Sequence, residues 1–314
     1  MAYQATIHTL TISVTPNENW RGNVWGWIDH IKTACPYARI PKYAGHGTYN
    51  VFINPHKESS EGQMYTFDYM GLSEYTEAME RICTNMNVDD YAIKRFDICI
   101  DSDRRYRETE KLTRLMLLML GENIGASNRF TSTDPLNFDP KNTYISNSND
   151  IKTRTLEAEH YNRSLLDQSQ WTNAPIINRL ELRSMGAQAG KKHDEKSIVE
   201  NWIRRFEELD NTSLIYVCRR VNDALLDEWK EHSALRNKNS KTAFNDFLRN
   251  HYKSVYTREQ LTEMFDVMGY EAEDSVKNLL KPRRSGNLFT LYSMSDVRRE
   301  ANEITAAMRD FVGR

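Results

Sequence analysis

The chain is predicted to be α+β: a largely antiparallel sheet with helices on one face and an open polar face, followed by a mainly helical C-terminal region. Three observations carry that expectation. Residues 94–101 (K-R-F-D-I-C-I-D), 153–164 (T-R-T-L-E-A-E-H-Y-N-R-S) and 176–184 (I-I-N-R-L-E-L-R-S) each alternate apolar and polar residues with the period of a strand. Amphipathic helical segments are interspersed with these strands before residue 186. Beyond Ser197 the pattern becomes helical, with Val199, Trp202, Ile203 and Phe206 at helical spacing.

Taken in order, residues 5–14 alternate and are rich in β-branched types, so they read as a first strand. Asn23 to Thr33 reads as a helix ended by Pro36, with Val24, Trp27, Ile28 and Ile31 inward. Strands are expected at Tyr49–Asn54 and Met64–Tyr69, a helix at Ser73–Met86, and the Asp-bearing strand at Tyr91–Asp101. Arg107 to Gly121 has the widest apolar stripe of the chain, and Gly121 stands where a C-cap is expected. Residues 127–150 are rich in Ser, Thr, Asn, Asp and Pro and favour turns, with short strands at Arg129–Ser132 and Thr143–Ser146.

The small, charged stretch G-A-Q-A-G-K-K-H-D-E-K divides the chain into an α+β domain, 1–186, and a helical region, 187–314. Within that region helices are expected at Leu214–Trp229, Ala243–His251, Thr257–Gly269 and Glu273–Leu280. The last two, with the basic K-P-R-R-S-G-N and a strand-like L-F-T-L-Y, have the makings of a winged helix-turn-helix near 257–293.

The composition narrows the function classes. No apolar run is long enough to span a bilayer and the N-terminus carries no secretory pattern, so a soluble cytoplasmic protein is expected, with no membrane partner. Cys35, Cys83, Cys99 and Cys218 form no C-x-x-C pair and read as buried free thiols. A net charge of −2 argues against unspecific binding of nucleic acid over the whole surface, though not against a local basic groove. Phosphate-loop, dinucleotide and Ser-His-Asp signatures are absent.

If the three alternating strands share one sheet, their polar faces collect acids, arginines and a tyrosine. Such alternation commonly means only cross-strand ion pairs. It also suits attack on a phosphodiester. A phenol, with a pKa near 10, needs help to become a nucleophile, and the phosphate's developing charge needs a cation. Tyr161 is the candidate nucleophile, with Tyr144 as a second. Arg163 offers fixed positive charge, and Asp97, Asp101, Glu159 and Glu181 offer oxygen ligands for Mg²⁺ or Mn²⁺.

The order R-F-D-I-C-I-D, R-T-L-E-A-E-H-Y-N-R-S, N-R-L-E-L-R-S resembles the replication-initiator superfamily that includes rolling-circle plasmid Rep proteins, MobT-type relaxases and the replication endonuclease of filamentous phages. The resemblance covers roughly Thr6 to Ser184 and puts Arg163 where those proteins carry a lysine. It implies an origin-specific endonuclease: Tyr161 as nucleophile, Arg163, Arg95, Asp97 and Glu181 in support, a 5′-phosphotyrosyl link and a 3′-hydroxyl primer for rolling-circle replication. It further implies single-stranded or hairpin origin DNA and a host helicase and polymerase as partners, with the oligomeric state open. Arg179, Arg183, Lys281, Arg283 and Arg284 are candidate DNA contacts. A relaxase of the same chemistry and a non-cleaving origin-binding protein stand as alternatives.

Overall fold

A computed structural model describes residues 3–59, 69–104, 106–124, 142–147, 150, 153–162, 178–185, 195–236, 240–251, 255–281 and 289–314. The expected strand at Met64–Tyr69, except for its last residue, the one at Arg129–Ser132, and Arg163, Arg283 and Arg284 lie outside them.

Among the described residues, seven strands form one antiparallel sheet: β1 (Gln4–Pro16), β2 (Lys42–Gly45), β3 (Thr48–Ile53), β4 (Val88–Ser102), β5 (Asn142–Ser146), β6 (Leu156–Asn162) and β7 (Asn178–Met185), in the spatial order β2-β3-β1-β4-β7-β6-β5. The three alternating segments are thus neighbours at the centre and one side, as their shared design requires. Their apolar faces supply Phe96, Ile98, Ile100, Ala158, Leu180 and Leu182, all buried, and β1 adds Ile7, Leu10 and Ile12.

On this face pack α1 (Val24–Ala34), α3 (Leu72–Met86), α4 (Tyr106–Ile124) and the C-terminal helix α10 (Met294–Gly313), the last against β1, β4, α3 and α4. Asn23 caps α1 by accepting from the Gly26 amide, which fixes its start. The helix α4 runs past Gly121 instead of ending there. Glu122 in that extra turn is held by Arg220 of α6 (Asn211–Arg236), so a tertiary ion pair outweighs the local glycine signal. The short α2 (Pro55–Ser59) departs from the one-sided layering: its His56 meets Thr6 of the polar face, 2.7 Å away.

The remaining helices are α5 (Glu195–Glu207), α7 (Lys241–Asn250), α8 (Arg258–Val267) and α9 (Ala272–Leu280). Between α8 and α9 the chain turns through Gly269 at φ 71, a left-handed conformation suited to glycine. Residues 289–292 are not a strand, but Tyr292 N–H donates to the Tyr256 carbonyl at 2.5 Å and so returns this segment beside the start of α8. The helix α10 is absent from the periodicity reading, although Ser293 and Asp296 form a complete capping box and Val297, Ala301, Ile304, Met308 and Phe311 line its buried side.

α10 also makes polar anchors to the sheet half of the chain. Buried Glu300 accepts from Tyr3 and from Arg104, and the Arg314 guanidinium donates to the Ala5 and Tyr69 carbonyls. All four cysteines are free and buried, and among the described residues no helix is long and apolar enough to cross a membrane.

Because α10 belongs to the same core as β1, Phe311→Ala is expected to lower unfolding free energy by about 3–5 kcal/mol. Urea unfolding followed by near- and far-ultraviolet circular dichroism should give coincident transitions.

Candidate catalytic face of the sheet

Register places the polar side chains of five adjacent strands in three rows. One row runs Gln4, Asp101, Arg179, Tyr161; the next Thr6, Cys99, Glu181, Glu159, Tyr144; the third Thr9, Asp97, Arg183, Glu157, Ser146. Directly opposed residues share a face, so the sequence-predicted Tyr161, Asp97, Asp101, Glu159, Glu181, Arg179 and Arg183 do come together. Arg95, two residues before Asp97 on β4, joins them through its bonds to that carboxylate.

The middle row sets Glu181 opposite Glu159, an arrangement that repels unless a cation intervenes. Arg183 supplies it. Its Nε donates to Glu181 Oε1 at 2.9 Å, one terminal nitrogen to Glu159 at 2.6 Å and the other to Glu157 at 3.4 Å. Arg179 grips Asp101 with two bonds of 2.7 Å, and Arg95 grips Asp97 with bonds of 2.7–3.0 Å while Thr9 donates to the same carboxylate at 2.6 Å. Arg154 completes the set with Glu157 at 2.7 Å.

These pairings alter the roles expected from sequence. Asp97 and Asp101 are buried and held bidentate by guanidiniums, which leaves them poorly placed as ligands of a hard cation. Arg179, 4% exposed, is a strut for Asp101 and cannot reach a DNA backbone without leaving it. Arg183 is likewise committed to three carboxylates. Lys281 lies on the far region of the chain, exposed just beyond α9, donating to Asn278. Glu273 and Asp274 in the first turn of α9 add to its exposed surface a charge that phosphate would oppose.

Tyr161 is 7% exposed, and its hydroxyl donates to Glu181 Oε2 at 3.0 Å. Burial pushes its phenol well above the ordinary value, Arg179 opposing and Glu181 reinforcing. Burial also works to raise the Glu181 carboxyl, but His8 and Arg183 outweigh it and hold the group well below the carboxylate range. The pair is therefore a neutral phenol on a carboxylate. Tyr144 makes a parallel pair, donating to Glu157 at 2.6 Å; it is half-buried, and burial with Glu157 raises its phenol to about 12.

His8 is a site residue that periodicity does not reveal. The β1–β4 ladder passes from Ile7 opposite Ile98 to Thr9 opposite Asp97, so His8 is one extra residue in a β-bulge. The bulge turns His8 onto the polar face, with Nδ1 3.7 Å from Glu181 Oε1. Nitrogen, sulfur and oxygen atoms of His8, Cys99 and Glu181 lie within 4.8 Å of one another, and these residues could hold a metal ion. The only sequence sign of His8 is a polar ring in a strand of β-branched residues.

No family model and no curated protein matches the chain. Among solved structures, that of a rolling-circle replication initiator protein from Geobacillus stearothermophilus is similar over 64% of this chain and 78% of that one, with a TM-score of 0.33 and 10% sequence identity.

Two predictions follow from the ion pairs. Replacing Arg183 by Met leaves like charges buried together and should lower stability by about 3 kcal/mol at neutral pH. Glu157 and Glu181 titrate below their ordinary 4.5 in the native state, so the unfolded chain binds protons first as pH falls. Their stabilisation is complete above that value and is lost below it; Asp97, raised by burial against Arg95, works in the opposite sense. Urea midpoints should drop on acidification below the ordinary glutamate value, and less so in Arg183→Met.

Proposed function

We propose that the chain nicks one strand of DNA at a replication origin through Tyr161 and so starts rolling-circle replication. The observation that carries this reading is the Tyr161 hydroxyl on the Glu181 carboxylate, on a face built by adjacent strands bearing R-F-D, E-H-Y and R-L-E-L-R.

In the reaction the Tyr161 oxygen bonds to phosphorus as the bond from phosphorus to the 3′ oxygen breaks. The phenolic proton passes to water, Glu181 orienting the hydroxyl without serving as its base, and the departing oxygen takes up a proton to become a 3′-hydroxyl. The 5′ phosphate stays esterified to Tyr161, so the broken phosphodiester is exchanged for another ester and the strand can be rejoined. A bound divalent cation supplies charge neutralisation to the phosphate and favours the phenolate. Arg95 and His8, each about one-third exposed in their side chains, stand at the solvent-facing rim where a backbone would arrive. Single-stranded or hairpin origin DNA is the substrate in this reading, and a host helicase and polymerase would act on the product. A conjugative relaxase would use the same chemistry on a transfer origin.

Tyr144 gives a second reading of the nucleophile, favoured by its greater exposure and its own carboxylate, Glu157. Single-stranded origin DNA incubated with the protein and Mn²⁺ or Zn²⁺ separates the two. Tyr161→Phe should abolish both cleavage and the covalent protein–DNA adduct, whereas Tyr144→Phe should keep both. The reverse pattern moves the chemistry to Tyr144. DNA that is bound yet left intact by the unaltered protein identifies a binding protein instead.

A further inference from the structure

We propose that His8, Cys99 and Glu181 form a three-ligand site for one borderline transition-metal ion of the zinc type, with a fourth position open toward the rim of the sheet. The ion site stands on its own geometry; its service beside Tyr161 rests on the nicking reading above.

Two features point to it. First, the His8 Nδ1 to Glu181 Oε1 separation of 3.7 Å is too long for a hydrogen bond, and this nitrogen is buried with no hydrogen-bond partner. Two ligand atoms at about 2.0–2.2 Å from one tetrahedral ion stand roughly 3.3–3.6 Å apart, so 3.7 Å needs only a small contraction to suit a shared ion. Second, Cys99 is the neighbour of Glu181 across the β4–β7 ladder and of Thr6 across β1–β4, and its thiol faces the charged side of the sheet instead of the core. A thiol in that position is surrounded by carboxylates and guanidiniums and gains little from apolar packing.

The donor chemistry then selects the ion. An imidazole, a thiol and one carboxylate form a poor cage for Mg²⁺, which prefers oxygen and octahedral geometry, and a good one for Zn²⁺ or Co²⁺. Binding exchanges the Cys99 thiol proton for the ion, leaving a metal thiolate and a released proton. Glu181 brings an orientation already set: Arg183 holds Oε1 and Tyr161 holds Oε2. His8, the most exposed of the three, opens the site to solvent.

Untagged full-length protein titrated with Co²⁺ in the absence of DNA tests the site without any appeal to cleavage. One equivalent should produce a near-ultraviolet sulfur-to-cobalt charge-transfer band, which Zn²⁺ erases and a large excess of Mg²⁺ leaves in place. Cys99→Ser should lose that band and His8→Ala should weaken cobalt binding at least tenfold, with circular dichroism confirming that both remain folded. Cobalt bound without the sulfur band, a band that survives Cys99→Ser, or displacement by Mg²⁺ would overturn the proposal. Tyr161→Phe should still bind cobalt; if the ion site passes these tests while the unaltered protein fails to cleave, the nicking reading falls and the metal site remains.

Discussion

Everything on the polar face is arranged around a like-charge conflict. Register sets Glu181 against Glu159 with Glu157 one pair further along, and only a planar guanidinium with donors on several edges can meet all three at once. Arg183 is that group. A lysine at its position would offer one compact charge and satisfy one or two of these acids. The fixed orientation of Glu181, and through it the position of the Tyr161 hydroxyl, is thus a consequence of charge balance across β6 and β7.

The same balance explains why so many ionisable groups survive burial. Asp97, Asp101, Glu181 and Arg179 are all under 5% exposed, a condition that desolvation makes costly for a lone charge. Each meets an opposite charge at hydrogen-bond distance, and the Asp97 and Asp101 pairs are bidentate. The price of this order is reactivity, since a phenol locked onto an already stabilised carboxylate has no strong base to receive its proton. In that state the tyrosine is held at the acid but not activated by it.

Much of this was legible in the sequence. Period-two alternation identified β4, β6 and β7 and separated their acidic and basic residues from the core, because strand geometry forces successive side chains to opposite faces. What alternation cannot express is which acid meets which arginine, since that depends on register between strands far apart in the chain. The expected oxygen cage therefore dissolved into ion pairs at Asp97 and Asp101. His8 escaped for a related reason: a bulge breaks the period that would announce it. The helix α10 was legible in its capping box, but its apolar stripe follows a segment whose composition reads as a strand.

The bulge has an architectural meaning of its own. On either side of it the ladder is regular, and Ile7, Thr9 and Leu10 would alternate correctly between core and polar face if they were consecutive. The sheet is complete without the imidazole. His8 is a passenger of the strand, borne by a kink that hydrogen bonding between β1 and β4 tolerates but does not require, so loss of that single residue would leave the scaffold closed and subtract one functional group.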